Sequence, residues 1–369
     1  MKKICVLYFL ITAFNFCLGQ NECTPIKKLQ IPTDRHVYML GDFHLDAKKY
    51  IQADEQTITN TIAAEDELRN YLVNKCDVKH FFLESSVSFE YFFNKYIQTG
   101  DTSWISIFNQ QEYELSKLES LRDIYLKHND ITINCIDVVL NSYVQQMLMT
   151  LYALSFYEHF QKYYETPYQT EKLYPPWNDI NVGMKLLDSL PQCNDSITPF
   201  LGVIIQSLIA PDEYTNYNLY ILFKISITSS QAQEALKKFY GNDYKYVMRI
   251  INGYIFGYGK TSEDILYNYV PQRENIIENT VAELMKIDTK SAYLIQMGNF
   301  HLSPDPNANM LRYRLLQKPS PPPFCFYNVQ KMAKTFFEQT FKTVALDFSF
   351  DSNYCFKKGD TDNVYVLVK

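Results

Sequence analysis

The stretch His36-Val-Tyr-Met-Leu-Gly41-Asp42-Phe43-His44 has a counterpart near the other end of the chain, Ser291-Ala-Tyr-Leu-Ile-Gln-Met-Gly298-Asn-Phe-His301. In both copies, an apolar run short enough for a buried strand ends in Gly-x-Phe-His. Glycine lets the backbone turn where a strand ends, so the histidine that follows can face a crevice. In α/β folds, ligands bind at the carboxyl edge of the sheet. We therefore expect these two strands to bring His44 and His301 together.

The segments around the two motifs alternate between strand-like and helix-like patterns. Alternation of this kind predicts an α/β fold, with a mostly parallel β-sheet core and covering helices. The predicted strands cover residues 36–40, 78–83, 131–136 and 291–297. The predicted helices cover residues 53–74, 87–99, 112–128 and 271–285.

The middle of the chain, residues 139–260, has helical periodicity throughout and is predicted to be a helical insertion that covers the strand ends. We expect residues 20–369 to form a single α/β domain that includes this insertion and a C-terminal extension at residues 324–369. Within the extension, Thr343–Phe350 and Val364–Val368 are predicted to pair as a hairpin around a Gly359-Asp360 turn.

Residues 1–19 have the order of features found in a secretory signal peptide. Lys2 and Lys3 precede an apolar run from Ile4 to Leu18, and Gly19 offers a small residue at a cleavage point. That run is too short for a comfortable transmembrane helix, and no later segment is long and apolar enough to be one. The sequence therefore predicts export, to the periplasm or out of the cell, without a transmembrane segment.

Composition limits the classes of partner. Hydrophobic residues make up 47% of the 369 residues and charged residues 21%, which is ample for a packed core. Removal of Lys2 and Lys3 with the signal peptide changes the formal charge from -6 to -8. An acidic chain without basic clusters binds nucleic acids poorly. We therefore expect a small-molecule or peptide substrate and no nucleic-acid partner. Of the six remaining cysteines, Cys325 and Cys355 are the predicted disulfide pair because they are near neighbours in sequence.

Acidic side chains follow the other predicted strands. Glu84 ends the second strand, Asp137 ends the third, and Asp42 lies two residues before His44. A carboxylate at such a position is either a ligand or base in a crevice, or a partner for the start of the next helix. An aspartate near a histidine can orient its imidazole or hold a cation. With His301, these side chains form a candidate catalytic set: His44, Glu84, His301 and Asp42.

Two alternatives stay open for the chemistry of this set. Two histidines and a carboxylate can activate a water molecule directly, or can hold a zinc or iron ion. The cofactor is therefore unknown, and a divalent metal ion held by His44, Glu84 and His301 is the candidate. Arg273, on the helix before the second motif, lies either on a solvated helix face or in the crevice, where its guanidinium would bind an anionic group.

Four pieces of the chain, in this order, resemble the erythromycin esterase-like group within the assemblage that also holds TIKI/TraB proteins and ChaN haem-binding lipoproteins. Leu40–His44 is similar to the group's Gly-Glu-…-His start. Phe82-Leu-Glu84 with Phe89–Gly100 resembles its Glu strand and following helix. Leu121–Asp137 resembles the group's third strand and the segment that leads to it. Arg273–Asn279 resembles its Arg helix, and Met297–His301 resembles its Asn-x-His strand.

The resemblance implies a function and assigns roles. His44 and His301 would be catalytic or metal-binding, Glu84 their carboxylate partner, and Arg273 a substrate or transition-state contact. Asp137, at the end of the third predicted strand, is a further candidate for substrate binding. The implied activity is hydrolysis of an ester, a lactone or an amide. The alternatives are a TIKI/TraB-like metal-dependent peptidase and a ChaN-like haem- or iron-binding protein, and a catalytically inactive exported scaffold is a third. The Gly-x-x-His spacing of the first motif is closer to TIKI/TraB and ChaN than to macrolide esterases.

The predicted signal peptide is tested by the N-terminus of the mature protein. Because cleavage follows the small residue after the apolar run, mass spectrometry of the exported fraction should find a chain beginning near Gln20. A chain with intact Met1 in that fraction, or one with a lipid on Cys17, would contradict this expectation.

Overall fold

The structure is a computed structural model. It describes residues 37–42, 55–106, 112–165, 180–191, 196–288, 290–298, 344–347, 355–358 and 365–368. The predicted signal peptide, residues 1–19, lies outside the described residues. So do His44 and His301, and of Asp42 the structure describes only the backbone.

A parallel sheet forms the centre of the part of the chain that the structure describes. Its spatial order is β3-β2-β4-β1-β5, and every neighbouring pair is parallel. The strands are β1 (Val37–Asp42), β2 (Val78–Ser86), β3 (Thr132–Asp137), β4 (Ala292–Gly298) and β5 (Val344–Asp347). The predicted α/β fold with a mostly parallel sheet and covering helices is therefore confirmed.

The two repeated motifs lie at the ends of adjacent strands. In the register of β1 against β4, Val37 pairs with Tyr293 and Asp42 pairs with Gly298. Because the strands are parallel, both chains leave the sheet at the same edge. The predicted strands 36–40 and 291–297 thus belong to one sheet, as expected.

One face of the sheet is covered by three helices from the first third of the chain: α1 (Glu55–Cys76), α2 (Glu90–Thr99) and α4 (Glu112–His128), with the short α3 (Ser103–Ser106) between the last two. The strand residues on this face join the main apolar core, and they include Tyr38, Leu40, Phe81, Leu83, Ile133, Cys135 and Leu294. Helix α2 ends at Gly100, whose φ of 73° is the left-handed conformation that glycine adopts readily. The sequence predicted this helix end.

The opposite face of the sheet is covered by α13 (Val270–Met285). Alternate strand residues such as Phe82, Tyr293 and Ile295 face this side and are buried. The hydroxyl of Tyr293 donates to the carbonyl of Asp288, just after the helix, and lies 3.4 Å from the carbonyl of Met285, which fixes the C-terminal end of the helix against β4. The helix runs from the carboxyl edge of the sheet, where its first turn carries Arg273, toward the start of β4.

The described residues between 139 and 260 form helices and turns. These are α5 (Val144–Tyr152), which continues as a π-helix (Ala153–Phe160) and α6 (Gln161–Tyr164), then α7 (Ile180–Ser189), α8 (Ile197–Ile209), α9 (Glu213–Thr228), α10 (Ser230–Tyr240) and α11 (Tyr244–Gly257). The short α12 (Ser262–Tyr267) then leads into α13. No helix in the described ranges is long and apolar enough to cross a membrane.

Two glycines let α11 lie directly against the chain that follows β3. A Cβ on Gly253 would lie 3.2 Å from the backbone nitrogen of Val139, and a Cβ on Gly257 would lie 2.2 Å from the carbonyl oxygen of Val139. The second distance is far inside van der Waals contact with backbone, which has little freedom to move. Small residues at these two positions therefore set how closely the helical insertion approaches the sheet.

The predicted C-terminal hairpin is wrong in its pairing. Val344–Asp347 joins the central sheet as β5, parallel to β1, and does not pair with the last strand. The hairpin instead joins β6 (Cys355–Lys358) to β7 (Tyr365–Val368), antiparallel. Residues 359–364, which include the Gly359-Asp360 pair, connect these two strands, and a short connection costs less closure entropy than the longer predicted one. Cys325 lies outside the described residues, so its pairing with Cys355 stays a prediction.

The close approach at Gly257 is tested by adding one methyl group. Gly257→Ala should lower the free energy of unfolding by about 1–3 kcal/mol, because the methyl group meets the Val139 carbonyl. The matched control is Gly202→Ala in α8, where a Cβ would meet only the Leu190 side chain at 3.7 Å. That change should be neutral, or should stabilise by up to about 1 kcal/mol through helix propensity. Urea denaturation measures both, and equal effects at the two positions would contradict the packing described here.

Candidate active site

Glu84 lies in an irregularity at the carboxyl end of β2. In the pairing of β2 with β3, Leu83 matches Cys135 and Ser86 matches Asp137, so β2 has one more residue than β3 between these two pairs. Such a bulge changes the direction of a side chain at the end of a strand. The Glu84 carboxylate consequently turns toward α13 and is 8% exposed.

Arg273, from the first turn of α13, binds the carboxylates at the ends of two neighbouring strands. Its Nε donates to Oδ1 of Asp137 at 2.8 Å, and its Nη2 donates to Oδ2 of the same carboxylate at 2.6 Å. Nη2 also donates to Oε1 of Glu84 at 2.9 Å. The two-pronged contact with Asp137 matches the fixed geometry of a guanidinium. Three residues predicted from the sequence for this edge of the sheet are thus in direct contact.

This ion cluster is nearly removed from water. The side chains of Arg273 and Asp137 are 6% and 11% exposed. Burial lowers the pKa of the guanidinium, but Asp137 and Glu84 raise it by more, so the pKa of Arg273 lies well above its ordinary value. Arg273 is therefore a permanent cation here. Its Nη1 makes no hydrogen bond to the part of the chain that the structure describes and is left as a donor at the edge of the cluster.

The predicted catalytic histidines, His44 and His301, come after β1 and β4 in the sequence. The sheet order places β4 beside β2, and β1 beside β4, with all three carboxyl ends at one edge. The structure describes β1 as far as Asp42 and β4 as far as Gly298. His44 therefore lies two residues beyond the described part of β1, and His301 lies three residues beyond the described part of β4. Their contacts, and the catalytic roles of Asp42, His44 and His301, stay predictions.

A metal site is likewise a prediction. Within the described ranges, no three His, Cys, Asp or Glu side chains are grouped so that they could hold a metal ion. The predicted metal ligands are His44, Glu84 and His301, and two of these three residues lie outside those ranges. Of these three, the structure describes the Glu84 side chain, whose Oε1 accepts from Nη2 of Arg273.

Another buried ion pair, which the sequence did not predict, lies against β3 near its carboxyl end. Arg249 of α11 donates from Nη2 to Oε1 of Glu90 at 2.6 Å and from Nη1 to Oε2 at 3.1 Å. Glu90 also accepts from the backbone N–H of Cys135 at 2.9 Å, and Arg249 donates to the Cys135 carbonyl at 3.3 Å. The pair thus binds β3 two residues before Asp137. No signal in the sequence links Glu90 to Arg249, which lie 159 residues apart.

A tyrosine adds a second contact between α11 and the end of β2. The hydroxyl of Tyr246 donates to the carbonyl of Val87 at 3.0 Å and accepts from the backbone N–H of Tyr91 at 3.1 Å. Val87 directly follows β2, and Tyr91 lies in the first turn of α2. Helix α11 therefore holds the ends of both strands that carry the Arg273 partners.

Two other histidines, His80 and His159, are bound by side chains outside the Glu84 cluster. His80 lies at the amino end of β2, where its ring nitrogens are 2.8 Å from Oγ1 of Thr132 and 3.1 Å from Oδ2 of Asp288. His159 lies 2.7 Å from Oδ2 of Asp243. Neither histidine contacts Glu84, Asp137 or Arg273 in these hydrogen bonds.

No protein-family model and no curated protein matches the sequence. Three solved structures are similar to it. A Bacillus cereus protein has a TM-score of 0.40 at 10% identity, over 85% of this chain and 67% of its own. A succinoglycan biosynthesis protein has a TM-score of 0.42 at 11% identity, over 85% and 66%. An erythromycin esterase mutant, EreC in its open conformation, has a TM-score of 0.40 at 11% identity, over 91% and 76%.

These similarities leave most of the sequence-based resemblance to be tested. This chain spans about two thirds of the length of the first two structures, and at TM-scores of 0.40–0.42 and 10–11% identity none of the three assigns a family or a function to it. The resemblance to the erythromycin esterase-like group and to TIKI/TraB and ChaN proteins stays a prediction. The function proposed below therefore rests on the contacts of the site.

The ion cluster predicts a pH-dependent loss of stability in Arg273→Met. Without the guanidinium, the buried Glu84 and Asp137 carboxylates face each other, and the folded chain favours their protonated forms more than the unfolded chain does. The variant should lose about 3–5 kcal/mol at pH 8, and the loss should shrink as the pH falls toward 5.

Urea denaturation of wild type and variant at several pH values measures this difference. The control is Lys79→Met, which removes an exposed ion pair with Asp130 at 2.7 Å. It should cost less than about 1 kcal/mol at every pH. A loss in Arg273→Met that is the same at pH 5 and pH 8 would mean that the carboxylates do not depend on this cation.

Proposed function

We propose that this protein is a hydrolase that activates water with His44, Glu84 and His301 to cleave an ester, a lactone or an amide. The observation that carries the proposal is the buried Glu84–Arg273–Asp137 cluster at the carboxyl edge of the sheet. The cluster joins the ends of β2 and β3, and β2 is followed in the sheet by β4 and then β1, the two strands that lead into the Gly-x-Phe-His motifs. A buried, fixed carboxylate and cation at such an edge support a site for chemistry more than a purely structural role.

In the proposed reaction, His44 takes a proton from a water molecule, and the resulting hydroxide attacks the carbonyl carbon of the substrate. The carbonyl oxygen becomes an oxyanion, and the bond to the leaving group breaks when the tetrahedral intermediate collapses. The leaving alcohol or amine takes the proton back from the histidine. In this proposal the Glu84 carboxylate, which Arg273 holds in place, orients one of the two histidines.

Arg273 has two proposed roles. Its Nε and Nη2 hold Asp137 and Glu84 in place, and its remaining Nη1 donates to the developing oxyanion. A preorganised donor of this kind loses nothing to reorganisation during the reaction. In this proposal Asp137 acts on the substrate through Arg273 and not by direct contact, which refines the substrate-binding role expected for it.

The test is activity on a panel of aryl esters, lactones and peptide amides, measured with the purified full chain. His44→Ala and His301→Ala should each lower kcat/KM by about 10²–10⁴-fold, the usual contribution of a general base. Glu84→Gln should lower kcat/KM with the fold retained. His128→Ala, on the last turn of α4, is the matched control and should leave activity unchanged.

Metal analysis of the same preparations separates the two forms of the mechanism. Stoichiometric zinc, manganese or iron that is lost in His44→Ala and His301→Ala would support metal-activated water, and activity that resists chelators would support the histidine base. If neither variant changes hydrolysis or metal content, the two histidines do not act together and the proposal fails.

A further inference from the structure

Helix α9 carries an apolar stripe on its outer face. Tyr214, Tyr217, Ile221 and Ile225 are 72%, 53%, 37% and 49% exposed. Their spacing of three, four and four residues puts them on one side of a helix, over about 16 Å of its length. The described part of the chain has nine exposed large hydrophobic side chains, and four of them lie in this one stripe. Isolated exposed hydrophobics need no explanation, but a continuous row does.

In the part of the chain that the structure describes, the stripe is exposed to solvent. The opposite side of α9, with Leu219, Phe223 and Ser226, is buried. Tyr254 of α11 anchors that side further, because its hydroxyl donates to the carbonyl of Asn216 at 3.1 Å. The helix is therefore packed on its inner face, while its outer apolar row has no packing contact of this kind among the described residues.

Charge is distributed unevenly along the same helix. Asp212 and Glu213 mark its N-terminal end, and Lys224 is its one basic residue, near the C-terminal end of the stripe. Neither Glu213 nor Lys224 takes part in an ion pair with any residue that the structure describes. The aromatic half of the stripe is thus next to negative charge, and the aliphatic half is next to positive charge.

We propose that this stripe is a self-association surface, on which α9 packs antiparallel against α9 of a second copy of this chain. An isologous contact requires a patch that is complementary to itself. In an antiparallel pair, Tyr214 lies opposite Ile225 of the other copy and Tyr217 lies opposite Ile221, so each ring meets an aliphatic side chain. Glu213 then comes within one turn of Lys224 in the other copy, twice per dimer.

The same distribution disfavours other arrangements. A parallel pair would put Glu213 against Glu213 and Lys224 against Lys224, which repel. A membrane surface also fits poorly, because helices that lie on membranes carry lysines and arginines beside their apolar face. Here the helix has one lysine and begins with acidic residues, and the whole sequence has a formal charge of -6.

Sedimentation velocity of the full chain tests the proposal over protein concentrations from about 1 to about 300 µM, since a contact centred on one helix is small and associates weakly. A concentration-dependent dimer is expected for the wild type. Tyr217→Glu and Ile221→Glu should each raise the dissociation constant at least tenfold, because each places carboxylates at the centre of the contact. Leu126→Glu, at a position 56% exposed on α4, is the control and should leave the constant unchanged.

A charge exchange tests the antiparallel geometry without touching the apolar row. Glu213→Lys and Lys224→Glu should each weaken the dimer, and the two changes in one chain should restore it, since every contact joins the two positions across copies. Circular dichroism checks that each variant keeps its helices. A monomer at all concentrations would overturn the proposal. So would a dimer that survives Tyr217→Glu and Ile221→Glu, or binding of the wild type to anionic phospholipid vesicles that those substitutions abolish.

Discussion

The site depends on one buried cation shared by two carboxylates. Arg273 reaches Asp137 at 2.6 Å and Glu84 at 2.9 Å, and all three side chains are almost excluded from water. Any one of these charges would be costly to bury alone, because a buried ion must find compensation in its immediate surroundings. The cluster therefore ties three elements together: the bulged end of β2, the end of β3 and the first turn of α13. Their relative positions are set by electrostatics as well as by apolar packing.

The helical insertion also fixes the end of β3. Arg249 and Glu90 form a second buried ion pair, and both the N–H and the carbonyl of Cys135 contribute to it. Cys135 lies two residues before Asp137 on β3, so that strand is fixed on one side by α11 and on the other by α13. The glycines at 253 and 257 permit the close approach that these contacts need. The insertion thus supports the strand ends directly and does more than cover them.

Local patterns in the sequence predicted most of the elements, because helix and strand periodicity depend on near neighbours. The predicted helix at residues 112–128 matches α4, and the predicted strand at 78–83 begins where β2 begins. The repeated Gly-x-Phe-His motif predicted that β1 and β4 share a sheet, since similar strand ends suggested a common edge. Glu84, Asp137 and Arg273 were selected for their places at strand ends and on the helix before the second motif.

The parts that were missed depend on distant pairings. Val344–Asp347 has a pattern that suits a hairpin or a sheet edge equally, and only the free edge of β1 decides between them. The partnership of Glu90 with Arg249 spans 159 residues and has no local pattern. The bulge at Glu84 is visible only in the register against β3. Whether His44 and His301 meet is a question of the same kind.

The central position of β4 has a consequence for synthesis. Strands β1 and β2 flank it, so the sheet lacks its middle strand until residues 292–298 have left the ribosome. About 200 residues separate the end of β2 from the start of β4, which at usual translation speeds is a delay of roughly 10–40 s. During that interval β1 and β2 each have an inner edge with unpaired backbone groups, which is a template for association with other chains. A nascent chain of this design keeps these two edges unpaired until about four fifths of it has been translated, which favours binding by chaperones.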